Sequence, residues 1–291
     1  MIELSVVIPI KNEAPGLDEL HREIARTLDA WGRPYEVIVV DDGSTDNSFE
    51  VLSAIQATDA RWRVIRFRRN FGQTAAFSAG FTHARGRLIA TSDGDLQNDP
   101  ADLPEMVRTL EAQDLDIVCG WRRDRKDAFI SRLLPSMIAN RLISWATGVR
   151  LHDYGCSLKV FRAEVVKPLK LYGEMHRFIP AIASEQGVRI AEVVVNHRAR
   201  RHGASKYGIS RTVRVILDLL TVKFLLSYST RPVQIFGLVG LTMAIPGTLV
   251  LAYLTFEKLF EEQAIGNRPL LLFGILLVDR KSTRLNSSHR T

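Results

Sequence analysis

Cysteine is scarce in this 291-residue chain: Cys119 and Cys156 are the two present, and neither has a histidine beside it at metal-ligand spacing. A disulfide framework and a cysteine-based zinc site are both excluded. No G-x-G-x-x-G follows the first strand-like run, and no G-x-x-x-x-G-K-[ST] occurs, which disfavours a dinucleotide-binding domain and a P-loop nucleotidase. A nucleotide bound here would lack a glycine cradle, so its phosphate charge has to be met by a metal and by Arg or Lys side chains. The N-terminus shows no signal-peptide pattern, because Met1 runs almost directly into strand-like Ile2–Ile10, which contains Glu3 and Pro9. Disorder is excluded too: hydrophobic residues make up 46% and charged residues 24% of the chain, enough to bury an ordinary core.

What is present is unevenly placed. The net charge is +7, and the stretch from Asn196 to Arg231 alone carries an excess of +7, eight Lys/Arg against one Asp. The last 13 residues add +3, so the remainder is slightly acidic. That is one local basic surface rather than a nucleic-acid binder's spread of charge, and no nucleic-acid partner is expected. From Pro232 to Phe256 run 25 residues without a charge, against the roughly 20 that a membrane-spanning helix needs. Pro246 and the glycines in it are tolerated in a membrane helix. A second apolar run, Pro269–Val278, is too short to span and gives way abruptly to a polar sequence. Residues 232–278 are therefore expected to form a transmembrane hairpin with a truncated second helix, and 279–291 reads as a non-native tail.

Ser210–Tyr228 can form an amphipathic helix, with Arg211, Arg214 and Asp218 on one face and Val213, Leu217 and Leu220 on the other. Segment 209–231 is expected to lie in the lipid interface; an ordinary helix docked on the domain is the alternative. The basic excess before Pro232 places that side of the membrane inside. The expectation is a membrane protein, multi-pass in its native form, whose soluble domain faces the cytoplasm.

Ahead of the apolar run, strand and helix patterns alternate. Strands are read at Ser5–Ile10, Tyr35–Val40, Trp62–Arg66, Arg87–Thr91 and Asp116–Cys119, and helices at Pro15–Trp31, Asp46–Gln56, Gln73–Ala84 and Leu103–Ala112. This rhythm predicts an α/β fold with a mostly parallel, Rossmann-like sheet covered on both faces. Ligands then sit at the carboxyl ends of the strands. Two acidic clusters follow strands there, Asp41-Asp42-Gly43-Ser44 and Asp93-Gly94-Asp95. Asp93 and Asp95, with Gln97 two residues on, can converge on one hard cation, Mg²⁺ or Mn²⁺, that leaves positions open for phosphate oxygens. An isolated Asp-x-Asp is usually a solvated turn; placement after an apolar strand is what raises this one above that.

Val7-Ile8-Pro9-Ile10-Lys11-Asn12-Glu13, the Asp41–Asp46 run and Asp93-Gly94-Asp95-Leu96-Gln97 together resemble the family 2 glycosyltransferases of GT-A fold. His152-Asp153-Tyr154-Gly155-Cys156-Ser157, Glu174–Pro180 and Arg200–Tyr207 are similar to the polyprenyl-phosphate branch. That branch includes dolichyl-phosphate mannose synthase and the bacterial undecaprenyl-phosphate glycosyltransferases. The resemblance covers residues 2 to about 254. It implies a GT-A catalytic domain over 1–208 and inverting transfer of a single sugar from a UDP- or GDP-sugar to polyprenyl phosphate, undecaprenyl or dolichyl.

By that resemblance Asp41 and Asp42 sit beside base and ribose, with Pro9, Asn12 and Glu13 lining the same pocket; Asn12 and Glu13 read alone could simply cap the next helix. Asp93, Asp95 and Gln97 hold the metal against the diphosphate, with Asp93 also at the nucleotide and Asp95 counted among the catalytic residues. Arg122, Arg132, Arg200 and Lys206 are candidates to hold the acceptor phosphate, with hydroxyls from Ser136 and Ser205. Any one of these cations alone reads as solvated surface charge. Asp153 is the expected carboxylate near the donor sugar, as a base or a hydroxyl-orienting group. His176 and Arg177 touch sugar or phosphate, or His176 is structural. Cys156 is given no catalytic role.

Two other readings compete. A processive polysaccharide synthase would show Q-x-x-R-W and several membrane helices, and Q-x-x-R-W is absent. A non-catalytic nucleotide-sugar-binding module would be expected to lose the metal pair or the phosphate cations, and both are here. A homo-oligomer is a further possible assembly.

Overall fold

The computed structural model describes residues 1–123, 140–141, 143–144, 147–198, 221, 224, 232–260 and 268–278. The chain divides into two units, Met1–Leu226 and Ser227–Thr291.

In the first unit the elements follow the expected alternation: β1 Leu4–Ile10, α1 Leu17–Trp31, β2 Tyr35–Asp41, α2 Ser48–Thr58, β3 Trp62–Arg66, α3 Gln73–His83, β4 Leu88–Thr91, α4 Leu103–Ala112 and β5 Ile117–Trp121. Two strands that the sequence pattern does not announce, β6 Lys159–Arg162 and β7 Ile190–Val194, complete a seven-stranded sheet of order β3-β2-β1-β4-β6-β5-β7. β1 to β4 are parallel, β6 runs antiparallel to both β4 and β5, and β7 is parallel to β5. The fold is mixed α/β with a mostly parallel sheet.

Burial explains the strands. Every residue of β2 is buried, as in a parallel strand covered on both faces. Leu17, Leu20, Ile24 and Leu28 form the buried stripe of α1 at three- and four-residue steps. Each such side chain contributes about 1.5–3 kcal/mol at most by leaving water. α1, α2 and α4 cover one face, while α3 and the segments around Tyr154 and Phe178 cover the other. α2 begins at Ser48 rather than at Asp46, because Asp46 accepts hydrogen bonds from the backbone N–H groups of Ala14 (3.3 Å) and Ser48 (3.1 Å).

β6 decides where the later motifs go. Its first residue, Lys159, pairs with Thr91 of β4 and Cys119 of β5. An antiparallel strand therefore starts at the edge where β1, β2, β4 and β5 end, and the segment leading into it, Asp153–Leu158, is delivered there. Lys159 is only 3% exposed, its ammonium held by the carbonyls of Tyr154 and Cys156.

In the second unit, helix Pro232–Phe260 contains Pro246 and runs four residues beyond the charge-free stretch. Its Glu257 accepts from the Tyr253 hydroxyl (2.7 Å) and pairs with Arg268. The portion Phe236–Phe260 is long and apolar enough to cross a membrane; helix Pro269–Val278, with 10 residues, is not. The two touch where side chains are smallest: a Cβ on Gly247 would stand 2.8 Å from Leu277, and one on Gly274 3.1 Å from Leu251. Segment 209–231, except Thr221 and Phe224, and residues 279–291 lie outside the described residues.

Candidate active site

The carboxyl ends of β1 and β2 are tied together by side chains. Asn12, at φ +54°, accepts from the Thr45 N–H (2.8 Å) and donates to the Thr45 hydroxyl (3.2 Å), while its own N–H reaches Ser44 Oγ (3.0 Å). The Glu13 N–H donates to Ser48 Oγ at 3.1 Å. Neither side chain caps the turn that follows; Asp46 serves that turn from across the loop. Pro9 lies beyond the β4 register, which ends at Val7, so its missing N–H leaves no ladder bond unmade. Gly43 has φ +65°, and a Cβ there would lie 2.5 Å from the Arg69 carbonyl carbon, so no other residue fits.

Adjacent Asp41 and Asp42 are used differently. Asp42 accepts from two backbone N–H groups, Phe71 (2.7 Å) and Gly72 (2.9 Å), and so fastens the loop between β3 and α3. Asp41 is fully buried; its Oδ1 accepts from the Ser44 N–H (2.9 Å), but its Oδ2 has no hydrogen-bond partner, the Arg66 Nε standing off at 3.8 Å. An unpaired buried acceptor is costly and uncommon in folded proteins. Nearby lies a cavity of about 700 Å³ whose lining includes Lys11, Ser44, Arg66, Arg68 and Asn70.

At the end of β4, both oxygens of Asp93 are held: Oδ1 by Gln73 Nε2 and Oδ2 by Ser157 Oγ, each at 2.6 Å. Ser157 is in turn held by Asn98 Nδ2 at 2.8 Å. Gly94 packs its backbone on Ile10, where a Cβ would collide at 2.1 Å. Asp95 Oδ1 accepts from the Gln97 N–H at 3.2 Å, and Gln97 Nε2 donates to the Arg198 carbonyl at 3.4 Å. Among the described residues no three His, Cys, Asp or Glu side chains gather. Two carboxylates and an amide oxygen nevertheless fit Mg²⁺ or Mn²⁺, since these cations bind through one or two carboxylates when phosphates and water complete the shell.

At the end of β5, Arg122 and Asp153 form a two-point ion pair, Nε to Oδ2 at 2.7 Å and Nη2 to Oδ1 at 3.0 Å, with side chains 12% and 4% exposed. Burial alone would lower the Arg122 pKa, but the Asp153 hydrogen bonds and the nearby Asp93 charge carry it above its ordinary value. Glu192 of β7 accepts from the backbone N–H groups of His152 (2.9 Å) and Asp153 (3.1 Å) and fixes the turn. His176 is buried, with Nδ1 2.7 Å from Thr74 Oγ1; burial, aided by the Arg177 and Lys159 charges, holds its pKa well below 6.5 and keeps it neutral. Arg177 reaches Glu174 at 3.6 Å, and its buried Nε has no hydrogen-bond partner. Burial raises the Cys156 thiol pKa, which leaves it an inert packing group.

Pro9, Asn12, Glu13, Asp41, Asp42, Asp93, Asp95, Gln97, Arg122, Asp153, His176 and Arg177 thus belong to segments meeting at one edge of the sheet. Arg132, Ser136, Arg200, Ser205 and Lys206 lie outside the described residues. Sequence reasoning missed Gln73, Lys159 and Glu192, and gave Ser157 no task although it lies within a motif already singled out. The turn residues Asn70 and Gly72 were the available signal for Gln73, because they mark the start of α3.

Residues 5–169 match the family described as Glycosyl transferase family 2. The chain belongs to glycosyltransferase family 2. It is 50% identical over 282 residues to dodecaprenyl-phosphate galacturonate synthase of Rhizobium johnstonii, a match covering 95% of this chain and 83% of that protein. It is 36% identical over 280 residues to undecaprenyl-phosphate 4-deoxy-4-formamido-L-arabinose transferase of Edwardsiella ictaluri, covering 94% and 83%. Among solved structures, glucosyl-3-phosphoglycerate synthase of Mycobacterium tuberculosis, in complex with Mn²⁺, UDP and glucosyl-3-phosphoglycerate, aligns with TM-score 0.59 and 18% identity over 77% of this chain and 79% of that one. Mannosyl-3-phosphoglycerate synthase of Rubrobacter xylanophilus aligns with TM-score 0.62 and 18% identity, covering 77% and 74%. At that identity the likeness speaks for the GT-A fold. The family 2 membership makes the protein a glycosyltransferase.

Proposed function

We propose that this family 2 enzyme transfers one sugar, with inversion, from a nucleoside diphosphate sugar to polyprenyl phosphate. The observation that carries the donor half is the buried Oδ2 of Asp41, without a hydrogen bond, at the strand edge that also holds Asp93 and Asp95. That oxygen is an acceptor in want of a donor, and a nucleobase N–H supplies one. The acceptor half is supported by relatives named for polyprenyl-phosphate chemistry that match nearly the whole chain.

Asp41 orients the base, while Asp42 keeps the loop around it closed. Asp93, held by Gln73 and Ser157, and Asp95 with Gln97 would bind Mg²⁺ or Mn²⁺. Such a cation, when bound, offsets the negative charge gathering on the departing diphosphate. An oxygen of the acceptor phosphate attacks the anomeric carbon, and the bond from that carbon to the nucleoside diphosphate breaks. Because that oxygen is already anionic near neutral pH, no strong base is needed. Asp153 therefore acts by holding Arg122 in place to hydrogen-bond the phosphates, and by orienting a sugar hydroxyl. Arg132, Ser136, Arg200, Ser205 and Lys206 are assigned to the acceptor phosphate from their place in the sequence motifs. The segment boundaries at 208 and 231, the interfacial helix, a second membrane pass and a cytoplasmic catalytic unit belong to the same proposal, on the strength of the apolar run and the basic excess before it.

The test supplies membranes containing the protein with undecaprenyl phosphate and a panel of radiolabelled UDP- and GDP-sugars. Label is expected in the organic phase with at least one donor, as a β-linked product from an α-linked donor. Label that stays aqueous across the panel overturns the proposal.

A further inference from the structure

The loop from Asp93 to Asp99 passes through a strained residue. Leu96, between Asp95 and Gln97, has φ +60° and is buried, in a backbone conformation that a bulky side chain rarely adopts. Such a residue persists where its surroundings over-determine it. Asp99 closes the loop, its Oδ1 accepting from the Ala101 N–H at 3.0 Å.

The segment that follows β7 supplies those surroundings. Asn98 and His197 form an antiparallel bridge, and the Arg198 N–H donates to the Gln97 carbonyl at 2.9 Å. Asn196 donates from its backbone N–H (2.8 Å) and from Nδ2 (2.9 Å) to the two oxygens of Asp102. The Arg198 guanidinium then joins two elements. Its Nη1 donates to both oxygens of Glu23 on α1, at 2.9 and 2.7 Å, and its Nη2 stands 2.6 Å from Asp99 Oδ2. A rigid fork that grips a helix with one nitrogen and a loop with the other sets the spacing between them, which the single nitrogen of a lysine does not. The backbone of the same residue orients Gln97. A carbonyl can only accept, so the amide end that meets the Arg198 carbonyl at 3.4 Å is the N–H end. The amide oxygen, the end a cation uses, is turned away from it.

We propose that Arg198 is a positioning residue for the cation site: by pinning Asp99 to α1 and meeting the Gln97 amide with its carbonyl, it holds Asp95 and Gln97 in the arrangement that takes a divalent cation. The inference rests on the metal role proposed above for those two side chains. Charge alone argues for the opposite effect. A guanidinium bonded to this loop repels a cation, so removing a mere surface charge there should tighten Mn²⁺ binding. Removing a support that aims metal ligands loosens it, by tenfold or more where such outer partners have been replaced. The two accounts differ in sign.

The full chain, purified in detergent and saturated with UDP, is titrated with Mn²⁺, the free ion being read by electron paramagnetic resonance. Arg198→Met is expected to weaken Mn²⁺ binding about tenfold. Arg198→Lys, which keeps the charge without the fork, should weaken it by a smaller factor, about threefold. Affinity for UDP, measured calorimetrically without metal, should change less than twofold in both variants. Mn²⁺ affinity that is unchanged or raised in Arg198→Met overturns the proposal. A parallel loss of UDP affinity also overturns it, because general loosening of the domain would produce that. Should Arg198→Met fail to fold, as read by thermal melting, Arg198→Lys decides alone: weaker Mn²⁺ binding with intact UDP binding supports the inference, and unchanged Mn²⁺ binding overturns it. Failure of the unmodified protein to bind UDP or Mn²⁺ overturns the donor and metal reading above and this inference with it, whereas intact binding that ignores Arg198 counts against this inference alone.

Discussion

The two halves of the sheet present their carboxylates by different physics. In the all-parallel half, Asp41 closes β2, Asp42 follows it, and both accept from backbone N–H groups of nearby loops. In the half built around antiparallel β6, Asp153 is held by a guanidinium on another strand end, and its backbone by Glu192 from β7. The backbone donors to Asp41 and Asp42 are neutral, and the Arg66 guanidinium stands 3.8 Å from Asp41 Oδ2, too far for a hydrogen bond, so that oxygen is left for a ligand's N–H. The Arg122–Asp153 pair is electrically closed, and its use is to hold a shape and to aim an arginine. The parallel half is therefore suited to recognising a nucleotide, and the mixed half to positioning reacting groups.

Breaking the ion pair tests the difference most severely. Asp153→Ala strands a buried guanidinium and should cost about 3–5 kcal/mol of stability. Adding Arg122→Leu should restore most of that, as read by thermal melting in detergent, without restoring transfer. A double variant as unstable as the single one would show that the pair is not what holds the turn.

Asp95→Asn comes next. It should lower turnover a hundredfold or more, about 3 kcal/mol of transition-state stabilisation, and chelation should abolish activity until Mg²⁺ or Mn²⁺ is returned. Full activity in excess chelator would remove the metal from the reaction.

The two adjacent carboxylates of β2 give a finer contrast. Asp42→Ala unpairs the Phe71 N–H and leaves that of Gly72 to Asn70 Oδ1 alone, and should lower stability by about 1–3 kcal/mol. Asp41→Ala should cost less stability but weaken UDP binding about tenfold. Melting and calorimetry on the same two proteins check both, and the reverse ranking would contradict the division of labour between them.

The smallest effect is a pH dependence. His176 is neutral in the fold with its pKa held well below 6.5, whereas the unfolded chain takes up a proton near 6.5. Stability should therefore fall as pH drops below about 6.5, by at most about 1.4 kcal/mol per pH unit down to the folded pKa. His176→Gln should flatten that slope in melts between pH 7 and 5; an unchanged slope would assign the dependence to other groups.

Much of this was legible beforehand because it is local. The alternation of β1 to β5 with four helices, the acids closing β2 and β4, and the charge-free run after Arg231 all lie in short windows of periodicity and hydropathy. β6 escaped because Lys-Val-Phe-Arg begins with a charged residue that is nevertheless buried, its ammonium satisfied by carbonyls three and five residues back. β7 carries Glu192 at its centre for a similar reason, since its partner is the His152–Asp153 turn.

From residue order alone one obtains an α/β transferase with acids at strand ends and an apolar helix behind it, because strand, helix and membrane preferences are set by near neighbours. Which acid is spent and which is kept is not written there. Asp41 and Asp42 are adjacent and chemically identical, and they part company because Phe71 and Gly72, 29 and 30 residues beyond Asp42, fold back onto one of them. Arg122 meets Asp153 across 31 residues, and Gln73 meets Asp93 across 20. Hydrogen bonds and ion pairs of that span exist only once the sheet has formed, since chain packing rather than sequence spacing brings donor to acceptor.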